Sequence, residues 1–246
     1  MTTWTSPTSS SEDADLYLHR DRVSGAVQVE VAFTSNMIDV AERPQEPGAV
    51  EAALAVLEES LTVPVARMRQ VHGIGVHEVR LVDGRPTEVP EADALVTTER
   101  GVALMTRSAD CVPVLLADVT NGVIGALHAG RVGFDDGVVP AAVEAMRELG
   151  AEEITAWLGP AACGRCYEVP AEMRADVAGR HPAAWTETRV GTPALDVVGG
   201  VREQLVDEDV DVLDLPICTM EDERTFSHRR QQGAAGRAAG LVWMRP

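Results

Sequence analysis

Residues 101–130 read GVALMTRSADCVPVLLADVTNGVIGALHAG, and the spacing of apolar runs within this stretch decides the fold. Val102 to Thr106, Val112 to Ala117 and Val123 to Leu127 are short runs rich in Val, Leu and Ile, which read as strands. Residues 107–111 and 118–122 between them are too few to form a helix, so the helical crossovers of a doubly wound sheet are excluded. Upstream, Val76 to Val82 and Ala94 to Thr98 continue the series, with Gly84, Pro86 and Gly101 as breaks. A mixed sheet is expected.

Working outward toward the N-terminus, Val50, Leu54, Leu57 and Leu61 recur at helical spacing until Pro64 stops the pattern. Before them, beyond Pro44 and Pro47, Val27, Val29, Val31 and Phe33 alternate with Gln28, Glu30 and Ala32. That is the period of a half-buried strand, and regular structure is expected to begin there. Toward the C-terminus, helices are expected at Asp135 to Leu149, Pro170 to Ala178 and Leu195 to Val206, and strands at Ile154 to Leu158, Val210 to Leu215 and Leu241 to Met244. The expected class is α/β in the α+β sense: a single domain over residues 16–246 with mixed sheets layered against helices. The Ser- and Thr-rich residues 1–15 are expected to form a disordered tail.

Composition narrows the chemistry. With 39 acidic against 21 basic residues the net charge is -18, a field that repels nucleic acid and anionic membranes, so neither is an expected partner. All the basic residues are arginine. A lysine Schiff base and a lysine-bearing phosphate loop are thereby excluded, and any phosphate must be held by arginine or backbone N–H groups. The first residues lack a basic start followed by an apolar run, so cytoplasmic localisation, and with it reduced thiols, is expected. A small-molecule substrate and a monomer or weak homodimer complete the expectation.

Three segments bring soft ligands to strand ends: Gln70-Val71-His72-Gly73, Ser108-Ala109-Asp110-Cys111 and His128-Ala129-Gly130. Two imidazoles and a thiolate suit zinc, and three ligands leave a fourth tetrahedral position for water or substrate. The gaps of 39 and 17 residues prove no proximity, and each residue alone is also compatible with a satisfied core position. Gln70 can orient substrate or water, or form a strand-end hydrogen bond. Asp93 and Asp110 are nearby carboxylates; in extended chain Asp110 points away from Cys111, which favours a supporting role. Cys163 and Cys166 form a lone CxxC, and with only Cys218 left over they read as ordinary buried thiols. His228, Arg229 and Arg230 form either an anion site or a polar turn paired with Glu221, Asp222 and Glu223. His19, His77 and His181 read as structural or surface residues.

The segments RQVHG (69–73), ADALVT (92–97), ADCVPVLLAD (109–118), HAG (128–130), GPAACGRCYEV (159–169) and CTMEDERTFSHRR (218–230) resemble, in order, those of the laccase-domain (YfiH) family of multicopper polyphenol oxidases. That family includes purine nucleoside phosphorylases and peptidoglycan editing factors. The resemblance implies a YfiH-like four-layer sandwich and a zinc site at His72, Cys111 and His128, with Tyr167 near the pocket. Copper is disfavoured on independent grounds, because a mononuclear plus a trinuclear copper centre needs more than six histidines.

The implied activity is zinc-dependent phosphorolysis of adenosine, inosine or methylthioadenosine, with adenosine deamination, and Arg229 or Arg230 would seat the phosphate. One alternative is hydrolysis of a misincorporated amino acid from a muramyl precursor, in which Cys111 would act as nucleophile. A second is a non-catalytic zinc-binding relative. Two departures bear on substrate. HAG continues as Arg131-Val132-Gly133 where the family usually has WRG, which leaves Arg131 as a displaced substrate-binding residue, and Met37 to Gly48 lacks the usual LNLG segment.

Overall fold

A computed structural model describes residues 3–4, 13–43 and 45–246. Two six-stranded sheets stack face to face with helices on both outer sides. The first sheet runs in the order Thr3–Trp4, Tyr17–Ser24, Gln28–Thr34, Ala238–Met244, Ala103–Ser108 and Val65–Ala66. The second runs Asp211–Asp214, Thr155–Leu158, Val112–Asp118, Val123–Ala129, Ala94–Thr97 and Val76–Glu78. Most pairs are antiparallel, while Val65–Ala66, Asp211–Asp214 and Val76–Glu78 pair in parallel, so both sheets are mixed.

Alternation along the strands explains the layering. Leu115 and Ala117 face the first sheet and pack with Val29, Val31, Phe33 and Trp157. Val114 and Leu116 face the other way, onto Phe134, Val139, Val143 and Met146. Because both faces are covered, the strand reads as an unbroken apolar run, and each fully buried aliphatic side chain contributes roughly 1.5–3 kcal/mol. The outer face of the first sheet presents Ala32, Met105, Leu241 and Trp243 to Leu57 and Leu61 of the Ala49–Leu61 helix. The order helix, sheet, sheet, helix is the expected four-layer sandwich.

Several details differ from the sequence reading. Regular structure begins before Val27: Tyr17–Ser24 pairs along Gln28–Thr34, and Thr3–Trp4 pairs with Val23 and Ser24. The expected tail at residues 1–15 otherwise falls largely outside the described residues. The Gln28–Thr34 strand is buried on both faces, and Glu30 is fully buried because Arg20, Arg22 and Arg245 pair with it. Burial pushes its carboxyl up, but the hydrogen bonds from Arg245 and Arg20 hold it below the usual range. The helix expected over 135–149 is two, Arg131–Asp136 and Val138–Glu148, because Gly137 at φ 100° breaks the hydrogen-bond ladder between them. The Val76 to Val82 run divides into Val76–Glu78 and Leu81–Val82, the latter in a small hairpin with Arg85–Pro86.

Candidate metal-binding cleft

Antiparallel register closes the 17-residue gap. Val112 pairs with Ala129 and Pro113 with His128, so Cys111, two residues before Pro113, lies diagonally beside His128 at the ends of the two central strands of the second sheet. The 39-residue gap is closed by Asp93, which immediately precedes Ala94–Thr97. Its buried carboxylate accepts hydrogen bonds from three successive backbone amides, Val71 (3.1 Å), His72 (3.0 Å) and Gly73 (2.7 Å). The loop is thereby folded over these strand ends, and His72 is held at φ 62°, a left-handed conformation costing a non-glycine residue roughly 1–3 kcal/mol.

Oδ1 of this carboxylate, the oxygen that accepts from the His72 amide, lies 2.9 Å from His128 Nδ1. With Nδ1–H donating to Asp93, His128 presents Nε2 to the cleft as a ligand atom. His72 Nε2 is 3.8 Å from Cys111 Sγ, and the two imidazole rings meet edge to face at 4.7 Å. One ligand atom from each of His72, Cys111 and His128 lies within 4.8 Å of the others. A Cβ placed on Gly130 would come within 2.6 Å of His72 Cδ2 and 3.3 Å of Cys111 Sγ, so only glycine fits under the trio. Donor type, convergence and the space beneath all fit a metal ion.

Electrostatics favour the thiolate of Cys111 and a proton on His128. Burial pushes the Cys111 thiol up, but hydrogen bonds from His128 and His72 outweigh it and bring it down to about 6. Burial pulls His128 down, but Asp93 and the Cys111 thiolate raise it to about 9. The two shifts are in the direction of a thiolate at Cys111 and a proton on His128, and His128 would have to give up the proton on Nε2 to hold a metal ion.

The trio lies in a cleft of about 730 Å³ whose wall includes Arg43, Arg69, Arg107, Arg229, Arg237 and His228. In a chain of net charge -18 this is a local reversal of sign. Asp39 neutralises Arg43 at 2.6 Å, Glu42 lies 3.0 Å from Arg107, and Glu91 pairs with Arg69. Among the described residues no carboxylate pairs with the guanidinium of Arg229 or of Arg237. Arg229 lies over the Tyr167 ring at 4.4 Å and donates to the Glu168 carbonyl at 2.7 Å, which fixes the plane of its fork.

The structure thus brings His72, Cys111, His128, Gln70, Tyr167 and Arg229 together, but not Arg131 or Arg230. Arg131 opens the Arg131–Asp136 helix outside the cleft wall. Arg230 donates to the carbonyls of Asp222 and Thr225 and so holds the 222–230 turn. Gln70 sits at the wall with its amide engaged reciprocally by the Arg107 backbone, at 2.8 and 2.9 Å. Asp110 is not extended but at φ 89°; its carboxylate takes Thr219 Oγ1 (2.6 Å) and the Arg229 amide (2.8 Å), which ties the Arg229 loop to the ligand loop. Only three of the six histidines, His72, His128 and His228, border the cleft. His77 pairs with Glu88 and His181 with Asp135, while His19 is in the first sheet.

The cysteines read as ordinary buried thiols are not core residues: Cys163, Cys166 and Cys218 are half-buried and cluster with Glu221.

Stacked mixed sheets between helices, with a His–Cys–His cleft at the ends of central strands, define a laccase-domain protein. Residues 22–245 match the family described as multi-copper polyphenol oxidoreductase laccase, and the chain belongs to that family. A Streptomyces coelicolor protein named purine nucleoside phosphorylase is 51% identical over 243 residues, covering 92% of this chain and 98% of that one. One from Mycobacterium tuberculosis with the same designation is 46% identical over 206 residues, covering 81% of each. Among solved structures, a Neisseria meningitidis protein superposes with a TM-score of 0.77 at 28% identity, over 91% of this chain and 96% of that one. The Geobacillus stearothermophilus protein YlmD gives 0.75 at 28% identity, over 89% and 92%. No helix among the described residues is long and apolar enough to cross a membrane.

Proposed function

We propose that the cleft performs zinc-dependent phosphorolysis of a purine nucleoside. The observation that carries this reading is the placement of a three-donor N/S set in one cleft with Arg229, a guanidinium held by Tyr167 and the Glu168 carbonyl that no carboxylate among the described residues neutralises. Two imidazoles and a thiolate favour zinc, which supplies Lewis acidity without redox chemistry when His72, Cys111 and His128 hold it. The relatives named purine nucleoside phosphorylase add the substrate class.

In the reaction a phosphate oxygen forms a bond to the ribose anomeric carbon while the bond from that carbon to the base nitrogen breaks. The bonding pair leaves with the base, which takes up a proton. Arg229, with Arg237 on the same cleft wall, seats the phosphate through charge-assisted N–H bonds. Tyr167 keeps the Arg229 plane fixed, and Asp110 holds the Arg229 backbone against the ligand loop. Asp93 holds the proton on His128 Nδ1 and so keeps Nε2 directed at the cleft. Adenosine deamination at the same centre extends this reading.

A second reading rests on the alignment of Cys111, His128 and Asp93, with the thiol brought down to about 6. This is the order of nucleophile, base and orienting carboxylate found in cysteine hydrolases, and it suits amide cleavage of a muramyl precursor. The two readings exclude each other at Cys111, because a metal-bound thiolate is a quenched nucleophile. Zinc-loaded protein incubated with adenosine, inosine or methylthioadenosine, with and without phosphate, is expected to release free base and pentose 1-phosphate only when phosphate is present. Cleavage of a muramyl-serine precursor by chelated protein, with no base released, would favour the hydrolase.

A further inference from the structure

We infer that Cys163, Cys166, Cys218 and Glu221 form a second, structural metal site for a thiophilic divalent cation such as zinc. The two loops that contribute them are built alike. Cys163-x2-Cys166 and Cys218-x2-Glu221 share the same spacing, and in each the amides three and four residues on donate to the carbonyl of the first ligand. These bonds are Cys166 (2.9 Å) and Tyr167 (3.0 Å) to Cys163, and Glu221 (3.0 Å) and Asp222 (2.9 Å) to Cys218. Each turn therefore presents its first and fourth side chains on one side, as paired zinc knuckles do. Ala161 pairs with both Ile217 and Thr219, which fixes one loop against the other.

The four ligand atoms all lie within 4.8 Å of one another. Tetrahedral zinc with Zn–S bonds near 2.3 Å requires sulfur separations of about 3.8 Å, so rotamer adjustment suffices to close the set. The Cys163 amide already points at Cys218 Sγ at 3.4 Å, and Cys166 Sγ is 3.3 Å from Glu221 Oε1. Three thiolates, one carboxylate and a divalent ion carry a net charge of about -2 by ligand type, and Arg189, paired with Glu221 and 3.6 Å from Cys166 Sγ, offsets part of it. All three thiols are half-buried at the molecular rim and lie outside the apolar core clusters, so core packing does not account for their convergence.

Four protein ligands leave no open position, which makes the site a clamp. One clamped loop continues directly into Tyr167, and the other runs on to Arg229, whose guanidinium stacks on that ring. The second ion therefore fixes the distance between two walls of the first cleft. This consequence for substrate binding rests on the phosphorolysis reading; the metal site itself does not.

Cys111→Ser removes the thiolate of the first site and isolates the second. The test is metal content per chain and the cobalt(II) spectrum of this variant, compared with Cys111→Ser/Cys166→Ser and Cys111→Ser/Glu221→Ala, with thermal melting as a check on folding. Cys111→Ser is expected to retain a single zinc per chain and to give an intense sulfur-to-cobalt charge-transfer band. Loss of Cys166 is expected to abolish both, and Glu221→Ala, a change at an exposed residue, to lower zinc affinity at least about 10-fold with little change in melting. A folded Cys111→Ser protein that binds neither zinc nor cobalt, or in which mass spectrometry finds a disulfide among Cys163, Cys166 and Cys218 in the metal-free form prepared under reducing conditions, overturns the inference.

Discussion

Cys111 has two imidazoles for neighbours and its thiol is brought down to about 6, whereas burial first, and then the neighbouring thiols and the Glu221 carboxylate, push Cys166 up to about 12. The first cluster is served by one buried carboxylate, Asp93, that never faces the ligand position, and it opens into an arginine-lined cleft. The second offers four ligands of its own, and Asp196, Asp214, Asp222 and Glu223 border the space beside it together with Arg165 and Arg202. The same side-chain chemistry is thus divided by coordination number and surrounding charge. Three ligands beside unneutralised arginine suit an anionic reactant; four ligands beside acidic groups suit a closed support.

The largest effect that would separate the clusters is expected from Asp93→Ala. It leaves three backbone amides and His128 Nδ1 without their acceptor and should cost roughly 3–5 kcal/mol in urea denaturation. Metal should be lost from the cleft and kept at Cys163, Cys166 and Cys218. Next, Cys111→Ser should abolish phosphate-dependent base release while melting stays within a few degrees of wild type, as judged by paired kinetic and thermal assays. Were turnover to survive, the cleft would not be the reacting centre.

A smaller effect, about a 10-fold rise in KM for phosphate, is expected from Arg229→Ala, the equivalent of roughly one charged hydrogen bond. Arg230→Ala, by contrast, should lower stability through its lost carbonyl contacts and leave that KM unchanged. The mildest test is alkylation of the chelated protein across pH. Because Cys111 is depressed and Cys166 raised, Cys111 should become reactive as pH climbs through about 6, and Cys166 should stay largely protonated up to about 12. Equal rates at neutral pH would erase the distinction.

Much of this arrangement is legible in the sequence, for identifiable reasons. The unbroken apolar run at Val112 to Ala117 follows from burial on both faces, and the helix positions follow from 3.6-residue spacing. The ligand trio is legible as residue types, but its convergence depends on pairing register and on Asp93, whose four donors come from residues 71–73 and 128. Arg43, Arg107 and Arg237 lie far apart along the chain and carry no local signature, so the cationic wall emerges only in three dimensions. Cys218-x2-Glu221 carries no recognisable paired pattern, because a carboxylate stands in place of the fourth cysteine. The burial of Glu30 has no local signature either: its partners Arg20 and Arg22 lie on the Tyr17–Ser24 strand, and Arg245 just follows Ala238–Met244.

The most direct measurement is anomalous diffraction at the zinc absorption edge from crystals of the zinc-loaded protein. A peak bonded to His72 Nε2, Cys111 Sγ and His128 Nε2, with its remaining coordination position facing Arg229, is the expected result. A cleft with no peak at these atoms, or a peak there whose fourth ligand is a protein side chain, contradicts an open metal centre in this protein.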